Sequence, residues 1–193
     1  DGKIYNMNFE KGRPIGELGV KSAPEESDSG TRITFKPDKE VFSDIEVPVE
    51  YYLDVLRRQA MLHKNLKIIL KYHGRKEIVL HYPGGVKDFI DIVCEKRIVP
   101  GVIQFIGQDT GCEDEGTEPY NVNMEMNIAF SRDTSLIEMY HNSSYLSDGG
   151  SSYDAMTYSL SKAIEDYAKQ AGKLGKNDKI LYRDVEELLV LIG

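Results

Sequence analysis

Cysteine and long apolar runs are scarce in this chain of 193 residues. Cys94 and Cys112 stand alone without a C-x-x-C spacing, so the sequence indicates neither a disulfide framework nor a zinc site. No run approaches the roughly 20 apolar residues that a membrane-spanning helix needs, and the first residues lack the basic and apolar regions of a secretion signal. These absences predict a cytoplasmic protein with no membrane partner.

Positive charge is also in deficit. The chain carries 24 Lys and Arg against 32 Asp and Glu, a formal net charge of −8, which argues against a stand-alone DNA clamp because phosphate binding needs clustered cations. Yet residues 57–76 contain no acid, and residues 162–183 are basic as well. Local basic faces are therefore predicted, with a solvent-exposed hairpin face as the alternative. The candidate DNA contacts are Arg57, Arg58, Lys64, Lys67, Lys71, Arg75 and Lys76.

Motifs for self-contained chemistry are missing. The four histidines are scattered, the serine-rich segment 141–152 lacks the G-x-S-x-G elbow, and no GxxxxGK[ST] phosphate loop is present. The acidic loop over residues 108–119 lacks the spacing of a calcium loop. We therefore predict no catalytic residue and no metal ligand in this chain.

What is present is a hydrophobic content of 40%, enough for a core, arranged in alternating strand and helix patterns. Residues 3–9 predict a strand that is followed by a turn in "RPIGELG" and then a polar loop. In "TRITFKPD" the period of two predicts a half-buried strand with Thr31, Ile33 and Phe35 on its buried face.

Further along, helical spacing predicts a helix from Pro48 to His63, a short one from Val86 to near Arg97, and a long amphipathic one containing Met156, Leu160 and Tyr167. "LKIILKY" and "EIVLHY" predict a hairpin with Gly74 in its turn, and "VIQFIG" predicts a strand. Residues 121–131 predict a strand with one solvent-exposed face, and "SLIEMYHN" is expected to form the next strand and to pair with it. The order predicts an α+β fold.

The two ends of the chain are unusual. It begins at Asp1 without an initiator methionine and closes on "LLVLIG", an apolar run typical of a strand, whereas termini are normally polar. We expect a fragment of a larger protein, with trimming at natural boundaries as the alternative.

Several separated stretches resemble the B subunit of DNA gyrase and topoisomerase IV, the ATPase subunit of type II topoisomerases. "DGKIYNMNFEKGRPIG" is similar to that family's D-G-x-x-Y-x-x-x-F-x-x-G-x-P, and "GTRITFKPDKEVF" to its G-T-x-x-x-F-x-P-D-x-x-x-F. "VLRRQAMLHKNLKI" and "HYPGGVKDFI" resemble its R-x-x-x-x-A-F-L-N-x-G-V and H-Y-x-G-G-I-x-x-F-V segments. One segment departs: the family's N-N-I-x-T-x-x-G-G-T-H is "NSSYLSDGGSS" here, which keeps Asn142, Gly149 and Gly150.

The resemblance implies two domains. Residues 1–83 would be the C-terminal part of a GHKL-type ATPase domain with a mixed sheet, and residues 84–193 a transducer domain with a ribosomal S5 domain 2-like fold that stops before the family's Q-T-K loop. Gly84 and Gly85 would form the hinge between them, and a plain strand-to-helix turn is the alternative. Gly30 and Thr31 would lie beside the bound nucleotide.

The resemblance also implies a mechanical role. ATP and Mg²⁺ would bind the full-length subunit and none would be expected on this fragment, which would be inactive alone. Nucleotide-driven closure of a homodimer would pass to the DNA gate, with DNA and the A subunit as partners. The alternatives are a non-catalytic interaction module on the same scaffold and a mismatch-repair type ATPase, against which the H-Y-x-G-G and P-D-x-x-x-F signatures argue.

Overall fold

The chain divides into two compact units, Asp1–Pro48 and Val49–Gly193. The structure is a computed structural model that describes residues 2–25, 28–72, 74, 76–112 and 116–193. Within these residues no helix is both long enough and apolar enough to cross a membrane.

A two-stranded antiparallel ribbon forms the first unit. Strands β1 (Lys3–Glu10) and β2 (Arg13–Ser22) are joined at Lys11 and Gly12, whose φ angles of 48° and 78° are those of a type I′ hairpin turn. The predicted turn in "RPIGELG" was wrong, because this segment is the first part of β2. Both strands of a two-stranded ribbon are edge strands, where proline and glycine are tolerated.

The strand predicted in "TRITFKPD" is absent: the described residues from 28 to 48 contain no strand. Ile33 and Phe35 are 81% and 65% exposed, and Thr31 is exposed as well. Alternating apolar residues give a strand a face that can be buried, but a strand also needs a partner strand. In this unit β1 and β2 pair with each other. The expected buried face of this segment was therefore wrong.

The second unit begins with the elements that the sequence predicted. The helix, the hairpin and the short helix are all confirmed, with bounds α1 (Val49–Leu62), β3 (Lys67–Leu70), β4 (Ile78–His81) and α2 (Val86–Val93). Gly74 has a φ of 66° in the hairpin loop, and the neighbouring His73 and Arg75 lie outside the described residues.

A four-stranded mixed sheet follows. Its strands are β5 (Val99–Gly111), β6 (Tyr120–Phe130), β7 (Leu136–Glu138) and β10 (Leu189–Ile192), in the order β5-β6-β10-β7. The predicted pairing of "SLIEMYHN" with β6 was wrong, because β10 lies between β6 and β7 and pairs antiparallel with the first and parallel with the second. The acidic loop is also shorter than predicted, since β5 extends to Gly111.

A small hairpin and the long predicted helix connect β7 to β10. They are β8 (Tyr140–His141), β9 (Ser144–Tyr145) and α3 (Ser151–Gln170), and two short 3-10 turns precede β10. Met156 of α3 is buried as expected, but Tyr167 is 74% exposed. The expected apolar face of α3 is thus covered at its start and open near its end.

Both faces of the sheet are buried around β10. Val190 and Ile192 join a cluster with Ala60 and Met61 of α1 and with α2, whereas Leu189 and Leu191 join a second cluster with Met156 of α3. β10 is apolar at every position, which is typical of strands that are covered on both faces.

The same layering corrects the end of the solvent-exposed face predicted for β6, since Asn121, Asn123 and Glu125 are exposed as expected but Asn127 is not. Asn127 and Ala129 are only 1% and 0% exposed, because the face that carries them joins the α1 and α2 side of the sheet. Towards the start of β6, Val122 and Met124 are 42% and 50% exposed instead. The mixed arrangement of helices and sheet confirms the α+β fold class.

Candidate functional site

The glycine pair connects β4 to α2 in a tight turn. Gly85 has a φ of 69°, a left-handed conformation that favours glycine, and a Cβ there would lie 2.9 Å from Cγ of Lys64. The Gly84 amide donates a 2.6 Å hydrogen bond to the carboxylate of Asp88 in the first turn of α2. The absence of a Cβ is thus required at Gly85 both by the backbone and by the neighbouring α1 to β3 connection.

Residues on both sides of this turn share one hydrophobic cluster. Tyr82 lies before the pair and Phe89 after it, their rings meet edge to face at 5.7 Å, and both belong to the cluster that contains Ala60 of α1. The structure therefore shows a strand-to-helix turn within one cluster, a geometry that both the hinge and the plain turn would have. The hinge and the predicted domain boundary between residues 83 and 84 stay predictions, while the compact units divide between Pro48 and Val49.

The basic residues of segment 57–76 fall into two groups. Arg58 pairs with Asp54 and Glu138, and Lys71 pairs with Glu77, so their charges have acidic partners. The other described members are exposed and make no ion pair within the described part of the chain. They are Arg57, Lys64, Lys67 and Lys76; Arg75 lies outside the described residues.

The predicted nucleotide residues lie in the first unit. Gly30 and Thr31 are both exposed, and a Cβ on Gly30 would have no atom within 4 Å. This part of the chain leaves open space around Gly30, and the nucleotide contact of both residues stays a prediction. Among the described residues, no group of three or more His, Cys, Asp or Glu side chains could hold a metal ion.

Two clefts lie in the second unit, and neither encloses a set of predicted site residues. The larger, about 430 Å³, is lined by apolar residues such as Phe130 and Leu188 with Arg97 and Arg132 at its sides. The smaller, about 180 Å³, includes Lys64 in its lining. Of the predicted DNA contacts that the structure describes, Lys64 borders the smaller of these two clefts.

A partly buried charge cluster between α1 and the β7 to β9 region was not predicted from the sequence. Arg58 Nε lies 3.4 Å from Glu138 of β7, and its guanidinium carbon is 4.3 Å from the centre of the Tyr145 ring in β9. The hydroxyl of Tyr140 in β8 donates a 2.6 Å hydrogen bond to the other carboxylate oxygen of Glu138. We call these four side chains the Arg58 latch.

The electrostatics of the latch follow from its burial. Burial raises the pKa of Tyr140 above its usual range, and the hydrogen bond to Glu138 raises it further. Burial lowers the pKa of Arg58, but the nearby carboxylates of Glu138 and Asp54 outweigh it, so the pKa is raised. Both groups therefore stay protonated across the neutral range.

The segment that departs from the family pattern lies against the same face of α1. Asn142 and Ser143 form the β8 to β9 turn with φ angles of 48° and 67°. The amide of Gln59 donates to the carbonyl of Ser143 at 3.3 Å, and the Ser143 hydroxyl lies 3.3 Å from Nε2 of His63. The departure from the family motif was the one sequence signal that pointed to this region.

Comparison with solved structures defines the class of protein first. All of this chain superposes on the 43K ATPase domain of Thermus thermophilus gyrase B, in a complex with an aminocoumarin, with a TM-score of 0.68 and 27% identity over 51% of that chain. The gyrase B protein of Myxococcus xanthus shares the fold with a TM-score of 0.66 at 18% identity, over 53% of that chain. The architecture is that of the gyrase B ATPase region.

Residues 85–192, more than half of the chain, match the family DNA gyrase B, and the chain belongs to that family. It is 30% identical over 184 residues to the DNA topoisomerase 4 B subunit from Streptococcus pneumoniae, and 32% identical over 186 residues to that of Enterococcus faecalis. These matches cover 94% of this chain but 27% and 26% of the relatives, so the chain spans about a quarter of their length. The predicted family membership is confirmed.

Proposed function

We propose that this chain is part of the ATPase subunit of an ATP-dependent type II DNA topoisomerase and passes nucleotide-driven movement on to the DNA gate. The observation that carries the proposal is the match of residues 85–192 to the DNA gyrase B family. It is supported by the superposition of the whole chain on a gyrase B ATPase domain. Residues 1–83 would then belong to the ATPase domain and residues 84–193 to the transducer.

In this proposal the reaction takes place in the complete subunit, of which this chain is one part. ATP and Mg²⁺ would bind the complete subunit, with Gly30 and Thr31 beside the nucleotide, and two subunits would close around it. Movement would pass through the turn at Gly84 and Gly85 towards the A subunit and DNA, inside the cytoplasm. Nucleotide can drive this only if it binds one arrangement more tightly than the other.

Strand passage by the complete subunit tests the proposal. The full reading frame that contains this chain would be purified with its A subunit, and supercoiled and catenated DNA would be incubated with ATP or without it. We expect a change of DNA topology that requires ATP. A well-folded complex that leaves DNA topology unchanged would refute the proposal and favour a non-catalytic interaction module.

The chain alone is expected to be inactive. Incubated with ATP and Mg²⁺, residues 1–193 should release no phosphate above the background of a mock purification. Turnover that follows the protein through two different columns would contradict this expectation.

DNA contact is proposed for the exposed basic residues Arg57, Lys64, Lys67 and Lys76. Their charges have no acidic partner within the described residues, whereas Arg58 and Lys71 are already paired. If they touch phosphates, the double variant Lys67→Gln/Lys76→Gln should weaken binding of the complete subunit to duplex DNA. It should also lower the slope of log affinity against log salt by about 2.

The matched control is Lys36→Gln, which removes an exposed lysine outside this stretch. An unchanged salt slope in the double variant would mean that these lysines only face solvent. Because each substitution removes the charge and keeps most of the side chain, a change seen with the pair and not with the control reports charge.

A further inference from the structure

The contact between α1 and the β7 to β9 region has a polar part beside the apolar packing of Leu136 and Tyr140 on the cluster of Ala60 and Met61. The residues of α1 that are fully buried in the apolar cluster, Ala60 and Met61, pack with α2 and the sheet. Towards β7, β8 and β9, the same helix presents Arg58 of the latch and, next to it, Gln59. Charge and hydrogen-bond geometry therefore add to apolar packing in setting how this edge of the sheet meets α1.

Glu138 is the centre of the latch. Its side chain is only 11% exposed, and a buried carboxylate is costly unless it is paired and hydrogen-bonded. Arg58 supplies the opposite charge and Tyr140 the hydrogen-bond donor. Removing either partner leaves a carboxylate that is out of water and incompletely compensated, so the contact strongly favours one position of α1.

The contacts of Arg58 within the latch depend on the position of α1. The Nε atom of Arg58 is buried and makes no hydrogen bond with any described residue, although it lies 3.4 Å from the Glu138 carboxylate. The stacking of the guanidinium on Tyr145 is likewise non-covalent and directional. A slight shift of α1 would tighten or break these contacts.

The β7 to β9 region leads directly to α3. The Leu146 amide donates to the carbonyl of Met139 at 2.9 Å, and Leu146 packs on the cluster that contains Met156 of α3. The segment after Leu146 reaches the start of α3 at Ser151. The connection from β8 and β9 to α3 is therefore made at Leu146, which packs on the cluster of Met156, and the segment that follows is short and largely exposed.

We propose that the Arg58 latch is a coupling contact that passes a displacement of α1 to the β8 to β9 hairpin and from there to α3. The latch joins residues on opposite sides of the predicted domain boundary, since Arg58 precedes Gly84 and the other three residues follow Gly85. Its role as a contact between ATPase and transducer parts rests on the proposed function. Arg58, Glu138 and Tyr145 act as positioning residues and touch no reacting group.

Hydrogen–deuterium exchange on the 193-residue chain tests the latch independently of ATP and DNA. Tyr145→Leu removes the stacking without leaving a buried charge, and Arg58→Met removes the ion pair. We expect amide exchange to rise about tenfold in peptides from α1 and from residues 136–146, as for an interaction worth one decade in an equilibrium constant. Peptides from β6 should change far less.

The matched control is Arg57→Met, which removes the exposed neighbouring arginine and should leave exchange in both regions unchanged. Equal exchange in all three variants and the wild type would overturn the proposal. A rise of the same size throughout the unit Val49–Gly193 would also overturn it, because the contact would then serve stability in general. If Arg58→Met fails to fold, Tyr145→Leu decides the question.

Pairing of the two charges is tested by a double-mutant cycle. Glu138→Gln should raise exchange in α1 on its own, and adding it to Arg58→Met should produce much less than the product of the two single effects. Effects that multiply independently would contradict direct coupling between the two side chains.

Assays on the complete subunit then distinguish a loss of coupling from a loss of ATPase activity. With the A subunit and DNA, Tyr145→Leu should keep ATP turnover within about twofold of the wild type and lower strand passage per ATP severalfold. An unchanged ratio would overturn the coupling role while leaving the proposed function intact. A wild-type complex that does not change DNA topology would instead refute the proposed function, and the exchange result would still stand.

Discussion

The two compact units bury their apolar residues to very different extents. In the unit Asp1–Pro48, Ile33 is 81% exposed and Phe9 66% exposed, while in the unit Val49–Gly193 the four residues of β10 are 0% to 1% exposed. The segment around Ile33 and the segment of β10 both have apolar patterns that predict strands. The difference shows that an apolar pattern indicates which side chains a segment is able to bury. Whether they are buried depends on the strands and helices that pack against the segment.

The contrast has a simple physical cause. β10 has partner strands on both edges, β6 and β7, and its side chains are covered on both faces by clusters that include helices. In the first unit the only described sheet has two strands, and a two-stranded ribbon has no second layer of its own to cover a face.

The largest expected effect comes from β10. Leu191→Ala should lower the free energy of unfolding by about 2–5 kcal/mol, because a fully buried leucine loses its contacts and leaves a cavity. Urea unfolding followed by circular dichroism measures it. Ile33→Ala is the control from the exposed unit and should change stability by less than about 0.5 kcal/mol. Similar losses at both positions would break the comparison between the units.

A smaller effect is expected at the glycine pair. Gly85→Ala should cost about 1–2 kcal/mol, because an alanine must adopt the left-handed conformation and its Cβ would crowd Lys64. Gly30→Ala in the first unit, where open space surrounds the glycine and φ is not left-handed, should cost much less. Thermal unfolding of both variants checks this. Equal melting temperatures would show that the turn relaxes without cost.

A pH above 10 should lower the free energy of unfolding of the unit Val49–Gly193 through the ionisation of Tyr140. Its native pKa is raised above the ordinary value of 10.0 by burial and by Glu138, so above pH 10 the unfolded chain loses this proton while the native chain keeps it. Stability is unaffected by this group below that pH and falls above it, by at most about 1.4 kcal/mol per pH unit. Urea unfolding at pH 8 and pH 10.5 measures the fall, which should be smaller in Tyr140→Phe. An identical pH dependence in the variant would contradict the assignment.

The smallest effect is expected from the ion pair between Lys11 and Glu40 in the first unit. Both side chains are more than half exposed, so Glu40→Gln should change the free energy of unfolding by less than about 1 kcal/mol. Adding about 0.5 M salt should weaken even this difference, because exposed charges are screened. A larger loss would mean that this unit depends on polar contacts much more than its exposure indicates.

Elements whose pattern is carried within a single segment were predicted well. α1, α2, α3 and the β3 to β4 hairpin have the expected places, because helical spacing and a glycine-centred turn are local signals. The pairing of β7 was not predicted, because β10 lies 51 residues further on and must be present before it can separate β7 from β6. Predicting that insertion requires knowledge of the three-dimensional partner.

The candidate site shows the same limit. Family motifs located the glycine turn and the charge distribution located the exposed lysines, but nothing in the sequence pairs Arg58 with Glu138, which is 80 positions away. Arg58 was predicted as a DNA contact because it lies in a basic stretch. Its partners come from a strand and a hairpin that approach α1 only in the folded chain.

The sequence by itself determined the family, the α+β class and the local elements, since these depend on residue order and on contacts between near neighbours. The tertiary structure alone decided which apolar segments are buried, where β10 inserts, and that Arg58 closes on Glu138 and Tyr145. Burial and ion pairing depend on distances between groups far apart in the chain, and those distances exist only after the layers have assembled.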